Sequence, residues 1–201
     1  MTLGEAQTEL AGRGFDYLSS SRMTIMLNNA KNALEDEFDW PWLETTVTGT
    51  APLTIPDLRH VLYVQDTTLD RELVGLNATQ LAVDGSDLSQ TGAPTHWWLD
   101  GASTLNVWPV TTSDQLQVRY VKYSPELSAA SDTPLIPARY HAVWMDYAVL
   151  EAYKDSDNFE SASDLLALVR QYRLPQMISV YAVRNRQNSN YQTVRLFSED
   201  W

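Results

Sequence analysis

The hydrophobic period changes twice along this chain, and the two changes limit the folds open to it. From Met23 to Phe38, apolar residues recur at helical spacing: Met23, Met26, Leu27, Ala30, Ala33, Leu34 and Phe38 share one face, while Asn28, Lys31, Asn32 and Glu35 take the other. From Glu44 the pattern becomes short runs rich in Val, Thr, Trp and Tyr, broken by turn residues: "TTVTGTAPLTI", "RHVLYVQD", "HWWLD", "TLNVWPV" and "QLQVRYVKY". These read as strands. In the last run Leu116, Val118, Tyr120 and Lys122 alternate with Gln117, Arg119 and Val121. After the polar connector "SPELSAASDTPLIP" the helical period returns. Tyr140, Val143, Trp144, Tyr147 and Leu150 form one stripe, widened by Met145, Ala148, Val149 and Ala152. A helix with so few polar positions packs on more than one side.

Local signals set the boundaries. Thr2 and Glu5 form a capping box, so a short helix opens there; Gly12 and Gly14 end it. Ser20 or Ser21 caps the second helix, which stops near Asp39 because Pro41 disfavours the α conformation at Trp40. Asn77 and Gln80 suggest a short capped helix closed by Asp84-Gly85. Pro137 suits the first residue of the long apolar helix. Asp157 and Glu160 form another capping-box pattern, opening a helix with Phe159, Ala162, Leu165, Leu166, Val169 and Tyr172 that Pro175 ends or interrupts.

The expected fold is α+β: a helical bundle built from the N- and C-terminal helices, with an inserted β-rich subdomain and an extended C-terminal tail. Neither group of helices can bury its apolar face alone, so the two ends must pack together. The expected divisions are 1–43, N-terminal helices of the bundle; 44–123, the β-rich insertion; 124–174, the connector and C-terminal helices; and 175–201, an extended C-terminal arm. Trp40 and Trp42, around Pro41, are expected to plug the junction of helices and sheet.

Composition narrows the function. The chain has 201 residues, 44% of them hydrophobic, which suffices for a core without covalent staples. It has no cysteine, so disulfides, thiolate metal sites and cysteine nucleophiles are excluded. No apolar run reaches the ~18 residues of a membrane span, and no signal-peptide pattern opens the sequence. A soluble, intracellular chain is the expectation. The net charge is −12, with acids spread through the body and a balance of +1 in residues 175–201. Such a body argues against a surface that grips duplex DNA.

No catalytic or metal motif stands out. His60, His96 and His141 lie in separate elements and read as structural or surface residues. "DSDNFE", Asp155 to Glu160, lacks the glycine and terminal glutamate of a calcium loop. Paired acids such as Asp155 and Asp157, or Glu35, Asp36 and Glu37, read as solvated faces. Trp97, Trp98 and Trp108 could stack on sugar rings, but neighbouring strand residues point to opposite faces, so one of Trp97 and Trp98 is expected in the core. The last 27 residues mix Gln, Asn and Ser with Tyr181, Arg184, Arg186, Tyr191, Arg195, Phe197 and Trp201. Tyr, Trp and Arg are the residue types enriched at interface anchors, so these seven are the candidate partner-binding residues. No catalytic, cofactor-binding or metal-binding residue is assigned.

The order of segments resembles a bacteriophage family, the head-to-tail adaptor (connector) proteins, including the tail tubular protein A type of podophages. The likeness is carried by "SSSRMTIMLNNAKNALEDEFDWPWLE", "APLTIPDLRHVLYV", "GAPTHWWLDG" with "TLNVWPV", and "LQVRYVKYSPELSAASDTPLIPARYHAVWMDYAVLEAYKD" with the helix after it. Within these, Asp132-Thr133-Pro134-Leu135-Ile136-Pro137 followed by Tyr140-His141 is the most telling string. The resemblance runs from about residue 15 to 175. It implies a structural virion protein of the neck, assembled in the host cytoplasm. It also implies a homo-oligomeric, commonly dodecameric, ring beneath the portal protein. Such a ring extends the DNA channel, lets duplex DNA pass without specific binding, and docks the next tail component, a nozzle or tail-tube protein. The C-terminal extension of such proteins docks on the portal. No enzyme activity, cofactor or membrane partner is implied. Two other functions are open to the sequence: a glycan-binding accessory module of a phage tail or capsid, and a carboxylate-dependent hydrolase.

Overall fold

The computed structural model describes residues 1–76, 87–101, 103–111 and 113–188, with side chains described as far as Tyr181. The chain is α+β and divides into two compact units, one of residues 1–38 and 127–201, the other of residues 39–126. No helix among the described residues is long and apolar enough to cross a membrane.

The first unit is helical. α1 (Leu3–Leu10) starts at a complete capping box: the Glu5 amide donates to Thr2 Oγ1 at 3.2 Å, and the Thr2 amide donates to Glu5 Oε2 at 2.8 Å. A π-helical turn, Ala11–Phe15, follows, with Gly14 at φ 100°, a left-handed conformation that glycine adopts without steric cost. α2 (Ser20–Asp36) is capped by Ser19, one residue earlier than the sequence suggests. A 3₁₀ turn, Ala138–Tyr140, leads into α3 (His141–Asp155). Pro137 stands just before that turn in an extended conformation rather than as its first residue. α4 (Phe159–Leu168) is capped by Asn158, whose Oδ1 accepts from the Ser161 amide at 3.3 Å. Asp157, which the sequence suggested as the cap, is left-handed with a φ of 54°, and the capping falls to its neighbour Asn158.

α3 is the central element of this unit and touches α1, α2 and α4. Trp144 is fully buried, and its indole Nε1 donates to the Leu27 carbonyl of α2 at 3.0 Å. One face of α2 departs from the sequence reading. Asn28, Lys31 and Glu35, expected on the polar side, are buried. Asn28 is hydrogen-bonded through both its side-chain polar atoms, and Lys31 and Glu35 are neighbours. Asn28 Nδ2 donates to the Leu127 carbonyl and Asn28 Oδ1 accepts from the Leu127 amide, both at 2.9 Å, while Lys31 Nζ lies 4.0 Å from Glu35 Oε2. Asn28 thus clamps the chain where it returns to the helical unit, 99 residues downstream.

The second unit is two four-stranded sheets of the described residues, face to face. Its strands are β1 (Glu44–Gly49), β2 (Leu53–Thr54), β3 (Leu58–Asp66), β4 (Arg71–Glu72), β5 (Val74–Gly75), β6 (His96–Asp100), β7 (Thr104–Trp108) and β8 (Leu116–Lys122). The orders are β1-β8-β3-β4 and β2-β7-β6-β5. Leu116, Val118 and Tyr120 of β8 face Leu105 and Val107 of β7 in one apolar core with Ile55, Leu58, Val64 and Leu73. Alternation along β8 holds, although Val121, on the other side of the pleat, is also fully buried. Trp40 is fully buried and stacked on Trp42, with ring centroids 4.5 Å apart. The suggested helix at Asn77–Gln80 lies outside the described residues.

Candidate functional site

The segment singled out as an arm begins inside a helix. Residues 169–173 form a second π-helical turn, and α5 (Leu174–Asn188) continues from it straight through Pro175. The extended arm from Pro175 is therefore corrected as far as Asn188. The buried positions explain why. Ala162 and Val169 are seven apart, Leu174 follows five later, and Met177 and Tyr181 resume steps of three and four. One residue too many lies between Val169 and Leu174 for an α-helix. The π turn absorbs it, with the Leu174 amide bonding to the Val169 carbonyl. The same turn loosens the ladder where Pro175 has no N–H to offer. Sequence periodicity lost the pattern at this extra residue.

Two ion clusters fasten this turn to the helical unit. Asp146 of α3 receives Arg173 at 2.7 Å and Arg13, from the first π turn, at 3.6 Å. Burial pushes the Asp146 carboxyl above its ordinary value, even though Arg173 and Arg13 pull it down. Glu37 Oε1 accepts from the Tyr147 hydroxyl at 2.9 Å and from Arg170 at 3.2 Å. Burial, then the Glu37 charge, drives the Tyr147 phenol well above its ordinary value. Glu37 was read from the sequence as part of a solvated face, and Asp146 was not singled out. The available signal was Asp146 itself, a lone carboxylate in the apolar run "AVWMDYAVL".

Of the seven candidate partner residues, Tyr181 is described in full. It is 6% exposed, its ring lies 6.0 Å from that of Tyr140, and its hydroxyl accepts from Arg139 Nη2 at 3.0 Å. Its side chain is packed inside its own unit. Arg184 and Arg186 lie on α5. Their side chains, and the residues Tyr191, Arg195, Phe197 and Trp201, lie outside the described residues.

Each histidine has a local partner. His60 Nε2 sits 3.3 Å from Asp39, His96 Nδ1 lies 2.8 Å from the Thr95 hydroxyl, and His141 Nε2 lies 2.9 Å from the Ile136 carbonyl. Burial holds the His141 imidazole below its ordinary value. Among the described residues no three His, Asp or Glu side chains group as a metal site would require. Trp97, opposite Val107 in the β6–β7 register, packs against the apolar core; Trp98, opposite Asn106, points to the other face. The expected split of this pair is therefore seen. Trp108 is half-buried, and its indole Nε1 donates to the Asp87 carbonyl at 2.9 Å.

What the described residues offer is thus packing and fastening geometry. Comparison with known families identifies the chain. The family model described as SU10 adaptor protein matches residues 1–197, nearly the whole length. The chain belongs to the SU10 adaptor protein family. No curated protein matches it. Membership makes it a structural head-to-tail adaptor of a bacteriophage virion, located at the neck. It also suggests portal and tail proteins as the adaptor's partners.

Proposed function

We propose that this adaptor forms a ring, dodecameric as such adaptors commonly are, beneath the portal. The ring extends the DNA channel and docks the next tail component, a nozzle or tail-tube protein. In this reading the helices from both ends of the chain form a bundle along the ring, and the β-rich unit faces outward or tailward. Subunits are made in the host cytoplasm and join the filled head. The observation that carries the reading is the family match over residues 1–197. The charge supports it. A lining built from subunits of net charge −12 repels phosphates, so duplex DNA slides without being held.

The portal-docking residues are those beyond Tyr181: Arg184, Arg186, Tyr191, Arg195, Phe197 and Trp201. Tyr181 is left out because its ring supports its own unit. This also fixes where to cut. Removing 175–201 takes Met177 and Tyr181 out of the core, and loss of such buried side chains costs about 2–5 kcal/mol each. A chain ending at Asn188 keeps both. The test is a pull-down by purified portal, with circular dichroism as the folding control. The full chain is retained, and the chain ending at Asn188 keeps its spectrum but is lost from the portal. Retention of the shortened chain refutes docking by Tyr191, Arg195, Phe197 and Trp201.

A further inference from the structure

Arg139 stands at the foot of the docking segment. It lies in the 3₁₀ turn Ala138–Tyr140, which two contacts brace: the Tyr140 amide donates to the Pro137 carbonyl at 2.8 Å, and His141 Nε2 lies 2.9 Å from the Ile136 carbonyl. From this fixed base the guanidinium carbon sits 4.6 Å from the centre of the Tyr140 ring and 5.6 Å from that of Tyr181. Its Nη2 also donates to the Tyr181 hydroxyl. Both tyrosines are buried, and Arg139 is exposed. The planar guanidinium stacks and donates at the same time, so the contact fixes direction as well as distance.

This arginine is used unlike its fellows. Arg13, Arg22, Arg119, Arg170 and Arg173 each meet a carboxylate. Among the described residues Arg139 meets none, and two tyrosines hold it.

The buried side chains described along α5 are Leu174, Met177 and Tyr181, and the clasp closes on the last of them. Helix ends fray, so the final anchor decides how far the end is held. Arg184 and Arg186 follow Tyr181 by three and five residues on the same helix, about 4.5 and 7.5 Å along its axis. We infer that Arg139, acting through Tyr181, is the positioning residue that holds this end of α5 and so sets where Arg184 and Arg186 stand for the portal. The role rests on the docking reading proposed above and concerns its two helical arginines, not the residues after Asn188. With the clasp open, the end of α5 takes up other poses, and apparent affinity falls with the fraction that remains competent.

The test titrates purified portal with the full chain and three variants: Arg139→Ala, the pair R184A/R186A, and all three substitutions together. Arg139→Ala is expected to lower affinity about tenfold, and the pair about thirtyfold. Adding Arg139→Ala to the pair is expected to cost less than about twofold more, because nothing is left to position. The circular dichroism spectrum is kept, since Arg139 is exposed. Amides of α5 near Tyr181 exchange about tenfold faster in Arg139→Ala, while those of α2 keep their rate. Equal losses with and without Arg184 and Arg186 mean that Arg139 meets the portal itself, and they overturn the positioning role, as does an unchanged exchange rate along α5. Natural affinity in Arg139→Ala beside a weakened pair overturns it too and leaves docking by the two arginines standing. Natural affinity in the pair removes Arg184 and Arg186 from docking, and this role with them.

Discussion

The two units of this adaptor bury different things. The β-rich unit is one continuous stretch, residues 39–126, with an apolar core between its strands and Asp66 and Thr111 as its buried polar side chains among the described residues. The helical unit is assembled from two stretches, 1–38 and 127–201, and buries Asn28, Lys31, Glu35 and Asp146 beside its apolar side chains. Where neighbouring strands pair, alternation alone selects the register. Where helices arrive from opposite ends of the chain, apolar stripes say that they pack but not how. Directional groups then fix the arrangement: the Trp144 indole on Leu27, the Asn28 amide on Leu127, and Asp146 between two arginines.

The largest test of this contrast is Trp144→Ala. Emptying a fully buried indole site costs about 3–5 kcal/mol, and hydrogen exchange is expected to accelerate in α2 and α3 while β8 amides keep their protection. Equal loss in both units would mean that they unfold as one.

Next comes Asp146. Asp146→Ala leaves Arg173 and Arg13 without their carboxylate and is expected to cost about 1–3 kcal/mol, less than a fully buried pair because both arginines reach solvent. The pH dependence has a definite sign. The folded chain holds the Asp146 proton more tightly than the unfolded chain does. The group's contribution is therefore complete below the ordinary carboxylate value and is lost as pH rises through the higher folded value. Urea denaturation across that range should show the fall in the natural chain and not in Asp146→Asn.

The β-rich unit should respond at the alkaline end instead. Burial and the hydrogen bond to Asp57 push the Tyr120 phenol up to about 12. Its contribution is complete below the ordinary value of 10.0 and is lost as pH rises through about 12. Tyr120→Phe is expected to cost about 1 kcal/mol at neutral pH and to remove that alkaline slope. The smallest expected effect is Asn158→Ala, about 0.5–1 kcal/mol from the lost cap of α4, read as a lower melting temperature.

The contrast also explains what could be read from the sequence. The β8 alternation and the Trp97–Trp98 split follow from a period of two and were legible. So was the capping box at Thr2. The buried polar face of α2 was not, because the group that satisfies Asn28 is a backbone 99 residues away. The π turn at 169–173 was hidden for another reason: a single extra residue breaks the helical count, and Pro175 then looks like an end. Among the candidate docking residues, composition could not tell Tyr181, which is buried, from those beyond it.

The central claim is that this chain works by assembling on other proteins. Native mass measurement of the full chain, alone and then mixed with purified portal, tests it most directly. Many copies bound per portal, on a chain that does not form the same ring alone, is the predicted result. A chain whose mass is indifferent to portal would contradict the account.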